Sequence, residues 1–135
     1  MKLATVALAA LVVLASISCG SVTSPSNNKT DPFGGSLSPG GSFAFAFNSS
    51  NGGEFSMGID SVTPANSASF LGLIFAQPAS GSSCDSFVPV QSGLGSIGHT
   101  GLTGIIQKGP WCAIVYDPGG AIAQTITFQA HVSHP

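Results

Sequence analysis

The feature that most constrains this chain is a period of two. From residue 41 onward, apolar residues alternate with small or polar ones, and no segment there repeats at the 3.6-residue spacing of a helix. In "GSFAFAFN" Phe43, Phe45 and Phe47 share one face, and Ser42, Ala44, Ala46 and Asn48 share the other. "EFSMGID" alternates again, with Phe55, Met57 and Ile59 on one face and Glu54, Ser56, Gly58 and Asp60 on the other. Successive strand side chains point to opposite faces, so both runs read as half-buried strands. The intervening "SSNGG" (49–53) has the Asn-Gly signal of a tight turn, so the two runs are expected to pair as a hairpin.

Other segments fit the same class. "SFLGLIFA" (69–76) and "WCAIVYD" (111–117) are apolar on both faces and read as interior strands. "IAQTITFQAHV" puts Ile122, Ile126, Phe128, Ala130 and Val132 on a core face, opposite Thr125, Thr127, Gln129 and His131. "GLTGIIQKG" (101–109) is a weaker strand, and "DPGG" (117–120) is a turn. Residues 77–93 read as loop, with "FVPV" a short edge strand at most. The expected fold is all-β: an antiparallel, jelly-roll-like β-sandwich over 41–135, following a signal helix and a flexible linker.

The N-terminus sets the compartment. Met1 and Lys2 precede the uncharged run Leu3–Ile17, which is shorter than the roughly 20 apolar residues of a spanning helix. Residues 1–18 therefore read as a secretory signal peptide. The run ends in "SISC" (16–19), which resembles the lipobox of bacterial lipoproteins, with Ser16 where that family usually carries Leu. The resemblance implies cleavage before Cys19, lipid on its sulfur, and anchoring to a membrane through that lipid. Gly20, in place of the family's retention Asp, implies outer-membrane sorting or the cell surface; plain secretion is the alternative. Residues 19–40, rich in Ser, Pro, Gly and Asn, then read as a lipidated Cys and its flexible tether. If Cys19 carries lipid, Cys84 and Cys112 remain, in a compartment that permits disulfides. Their bridge would close a loop of about 29 residues, worth about 3–4 kcal/mol in the chain-entropy model; two buried thiols are the other reading.

"GGEFSMGID", "PWCAIVYDPGG" and "AIAQTITFQAHVSHP" together resemble the strand patterns of small secreted bacterial domains of the pre-peptidase C-terminal type. The resemblance implies a β-sandwich with a jelly-roll-like topology. Such domains usually accompany secreted proteases or stand alone.

Chemistry-bearing residues are sparse. Only 6% of residues are charged and there is no Arg, which argues against nucleic acid as a partner. "GLGSIG" (93–98) matches a dinucleotide fingerprint on paper, but the next segment, "HTGLTGII" (99–106), contains Gly101 and Gly104 and cannot form the required helix. His131 and His134 sit three apart, and on a strand they face opposite sides, so they do not chelate. There is no G-x-S-x-G elbow, and no cofactor is implied. Glu54, Asp60, Asp85 and Asp117 are weak calcium candidates, scattered singly. Trp111 and Tyr116 fall on opposite faces of one strand, so either can be core or exposed. Trp111, if exposed, and His99 are the possible ligand contacts. Contact with a ligand is expected on loops, at 77–83, 92–100 and 117–121. The sequence reads as a non-catalytic envelope or surface lipoprotein with a structural or binding role. A glycan- or protein-recognition module of the envelope is the alternative, and a small secreted hydrolase the distant one.

Overall fold

The computed structural model describes residues 27–135. The signal peptide expected over 1–18 and the lipidation expected at Cys19 lie outside the described residues. Eight strands run in order: β1 (Lys29–Leu37), β2 (Ser42–Ser49), β3 (Gly53–Thr63), β4 (Phe70–Pro78), β5 (Phe87–Ser96), β6 (His99–Ile106), β7 (Gly109–Tyr116) and β8 (Ile126–His134). They form two antiparallel four-stranded sheets packed as a sandwich, in the orders β1-β8-β3-β6 (sheet one) and β2-β7-β4-β5 (sheet two). The expected antiparallel β-sandwich is the fold. Among the described residues no helix is long and apolar enough to cross a membrane.

The alternating apolar rows meet between the sheets. Met57, Ile59, Phe128 and Val132 of sheet one face Leu71, Leu73, Ala113 and Val115 of sheet two, all buried. An aromatic pile runs through the centre. Phe55 stacks on Phe75 at 3.8 Å between ring centroids, and Phe75 stacks on Trp111 at 4.5 Å. Offset stacking of this kind adds to the burial of large apolar area.

Three sequence-based expectations are corrected. First, the tether expected over 19–40 gives way to β1 from residue 29, an edge strand paired along its length with β8. Phe33 and Leu37 are buried on its inner face. The inner position between them is Gly35, where a Cβ would lie 2.5 Å from the Phe43 ring, so the apolar row is broken by a glycine that makes room for a phenylalanine. Second, β2 and β3 are not a hairpin: β2 pairs with β7, and β3 with β6 and β8. The two strands lie in different sheets, with the β2 rings against Phe33 of β1 and Phe128 of β8 and Phe55 of β3 against Phe75 of β4, so the 49–53 connection arches from one sheet to the other. Third, 87–96 is a full edge strand paired with β4, rather than loop. Its inner positions include Gly93 and Gly95, and Leu102 and Leu73 fill the space their missing side chains leave.

Cys84 and Cys112 are bonded, with Cα atoms 5.8 Å apart. The bridge pins the loop before β5 onto the outer face of sheet two, over Ala76 and Ile114. A disulfide belongs to an oxidising compartment, in keeping with export.

Candidate functional site

The outer face of sheet one collects the polar side chains. The strand registers align Thr30, Ser133, Ser56 and Thr103 in one row across β1, β8, β3 and β6. The next row runs Pro32, His131, Gly58 and Thr100. Below the hydroxyl row is a cavity of about 390 Å³ lined by Asn28, Glu54, Ser56, Thr103, Ile105 and Ser133. Asn28 Nδ2 donates to the Glu54 carbonyl at 2.8 Å, while Asn28 Oδ1 is buried with no hydrogen-bond partner. Ile105 is 70% exposed beside Glu54 and supplies an apolar patch. A carboxylate, three hydroxyls and one apolar side chain line a small polar site with an apolar wall.

Above the cavity His131 lies over the bare backbone of Gly58. A Cβ on Gly58 would sit 3.1 Å from His131 Cε1 and 2.7 Å from the His99 carbonyl oxygen, so only glycine fits under the ring. His131 Nδ1 is 2.7 Å from Asp60 Oδ1. This Asp–His pair has the orientation used in hydrolytic triads, and among the described residues no serine hydroxyl hydrogen-bonds the ring. Alternation placed Gly58 and His131 on outer faces, but only the β3–β8 register brings them together.

His134 faces the other way, as its spacing from His131 predicts. It is 2% exposed, Nε2 lies 3.0 Å from Asp31 Oδ2, Nδ1 lies 3.1 Å from the Pro135 carbonyl oxygen, and the ring packs on Phe47. Lys29 Nζ holds the other Asp31 oxygen at 2.7 Å. Burial pushes the Asp31 carboxyl up, but Lys29 and His134 together outweigh it and hold it below the usual carboxylate value.

The other expected site residues are dispersed. Trp111 is corrected to core. It is 4% exposed and its Nε1 donates to the Gln107 carbonyl, because alternation on β7 turns residues 111, 113 and 115 inward. His99 is exposed at the start of β6, opposite Ile59. The calcium candidates stand apart: among the described residues no three His, Cys, Asp or Glu side chains gather. Glu54 lines the cavity, Asp60 pairs with His131, and Asp85 accepts from the Ser83 hydroxyl. Asp117 is buried and accepts the Gly40 N–H at 2.8 Å and the Ala121 N–H at 2.7 Å. The Gly40 N–H is the leading cause that holds its carboxyl below the usual range; burial opposes it, and further backbone N–H groups from Ala121, Ile122 and Gly120 add to it. Asp117 therefore ties the β1–β2 turn to the segment before β8. Of the expected contact loops, 92–96 belongs to β5.

Sheet two presents a different outer face. The Tyr116 ring covers Gly72, where any Cβ would overlap it. Phe70, Ile74 and Leu94 lie on the same face, with Phe70 and Leu94 exposed.

No family model matches this chain, and no curated protein matches it in sequence. Among solved structures it is similar to the Yersinia pseudotuberculosis-derived mitogen (YPM), with a TM-score of 0.54 and 12% identity over 80% of this chain and 87% of that one. At that identity the likeness is one of fold.

Proposed function

We propose that this chain is a non-catalytic recognition module of the cell envelope, tethered through lipid on Cys19, which binds a neutral glycan on the outer face of sheet one. The observation that carries the reading is the cavity of about 390 Å³ lined by Asn28, Glu54, Ser56, Thr103 and Ser133 beside exposed Ile105. Sugar hydroxyls are donors and acceptors at once. They match a site that mixes a carboxylate and hydroxyls, and Ile105 matches the apolar face of a pyranose. The Asp60–His131 pair borders the site and can add a further polar contact.

The test is calorimetric titration of the full chain with neutral oligosaccharides of hexose and N-acetylhexosamine units. One ligand is expected to bind. Glu54→Gln should then weaken it about tenfold or more, the effect of losing a charge-assisted hydrogen bond, with the melting temperature unchanged. Leu94→Ala, on sheet two, should leave binding intact. Absence of binding to every oligosaccharide, or binding that depends on Leu94 and ignores Glu54, defeats the reading.

A further inference from the structure

A sheet edge exposes a row of unpaired N–H and C=O groups, and proteins guard such edges with charges, proline, bulges or a covering element. Three of the four edges here are guarded. β1 carries Lys29, Asp31 and Pro32. β5 carries Pro89, and its pairing with β4 is broken by a register shift at Phe75/Ala76. β6 is closed against β5. A Cβ on Gly101 would lie 2.8 Å from the Gly95 Cα, and Gln91 Nε2 donates to the Thr103 carbonyl at 3.0 Å.

β2 has none of these devices. Ser42–Ser49 holds no charge and no proline, and its pairing with β7 runs without a register shift. Phe43 and Phe45 point inward yet stay only partly buried, because the core ends at this edge. The outward residues Ser42, Ala44, Ala46 and Asn48 are small and exposed, so nothing on that face blocks a neighbouring strand. The described chain also enters over sheet one, where Asn28 reaches the Glu54 carbonyl, and so does not run along β2.

We infer that the β2 edge pairs with the β2 edge of a second copy of this chain, antiparallel about a twofold axis at Phe45. The strand is self-complementary in that register. "SFAFAFNS" places Phe45 beside Phe45, Phe43 beside Phe47, Ala44 beside Ala46 and Ser42 beside Asn48. Aromatic pairs then meet on the inner face and alanines on the outer, which is the arrangement cross-strand pairing favours. With no charged residue on β2, the two copies meet without like-charge repulsion. Sheet two becomes continuous across the dimer, and the second copy completes the cover over Phe43 and Phe45.

Sedimentation equilibrium of the full chain in density-matched detergent should give twice the protomer mass. Ala44→Lys with Ala46→Lys sets lysines opposite lysines and should give the protomer mass. Ala44→Lys with Ala46→Glu sets each lysine opposite a glutamate and should restore the doubled mass. Both positions are exposed in the protomer, so each variant should remain folded. Hydrogen exchange on the unaltered chain gives a second readout, with protection of residues 42–49 rising with protein concentration. A monomeric wild type, a dimer indifferent to the two lysines, a monomeric lysine–glutamate variant, or exchange over 42–49 that ignores concentration would each overturn the inference.

Discussion

Asp31 and His134 come from opposite ends of the described chain, and the β1–β8 register puts them side by side at the rim of the core. The sequence foretold that His131 and His134 face opposite ways, because strand geometry is local. It could not foretell that each ring takes an aspartate, since Asp60 and Asp31 reach β8 from different neighbouring strands. The Asp31 contacts have a consequence for acid stability. A carboxylate whose folded value is depressed stabilises the fold fully above its unfolded value, near 3.8, and loses that contribution as pH falls through the lower folded value. The melting temperature should therefore hold above pH 4 and drop below about 3.8. Asp31→Asn should start lower at neutral pH and show a shallower acid limb, with the remaining slope owed in part to Asp117, which is depressed in the same direction. Melting curves at stepped pH read this directly; parallel acid limbs for wild type and variant would contradict it.

At the scale of elements, what was legible tracks what each inner position carries. β3, β7 and β8 were plain because their inner rows are continuous, as in Phe55, Met57 and Ile59 or Ile126, Phe128, Ala130 and Val132. β1 and most of β5 were missed because glycine occupies inner positions there. An alternation scan reads Gly35, Gly93 and Gly95 as gaps, while the fold uses those gaps to seat Phe43, Leu102 and Leu73. The pairing of β2 was missed for another reason: an Asn-Gly turn signals a reversal of direction, and that reversal can stay within a sheet or cross the sandwich. The glycines at the β5–β6 closure make a sharp test. A Cβ on Gly101 would sit 2.8 Å from the Gly95 Cα and 2.5 Å from Leu73 Cδ1, so backbone as well as side chain must yield. Gly101→Ala should cost about 1–3 kcal/mol, the usual cost of overpacking, whereas Ser96→Ala, exposed at the same closure, should stay within about 0.5 kcal/mol. Chemical denaturation of both variants measures the difference, and a neutral Gly101→Ala would show that the two edges are looser than described.

At the scale of the whole molecule, the sandwich separates two tasks that the sequence showed as one list of residues. The polar rows of sheet one depend on registers among β1, β8, β3 and β6, strands far apart in sequence, so no local motif could announce the cavity. The disulfide was legible because counting cysteines needs no register. It lies on the other sheet, joining the loop before β5 to the central strand β7. Removing it tests both its strength and that separation. In the chain-entropy model a loop of this length contributes about 3–4 kcal/mol, a large share of the roughly 5–15 kcal/mol that holds a small domain together. Cys84→Ala with Cys112→Ala should lower the melting temperature to the value the unaltered chain shows under strong reductant. It should free the 79–86 loop to rapid hydrogen exchange. The hydroxyl row and Glu54 on sheet one should remain in register, so any ligand held there should bind the variant as it binds the wild type at temperatures where both are folded. A melting temperature indifferent to both reductant and mutation would mean that the Ala76–Ile114 cluster holds the loop alone. A loss of sheet-one binding in the folded variant would mean that the two faces are coupled through the Phe55–Phe75–Trp111 pile that lies between them.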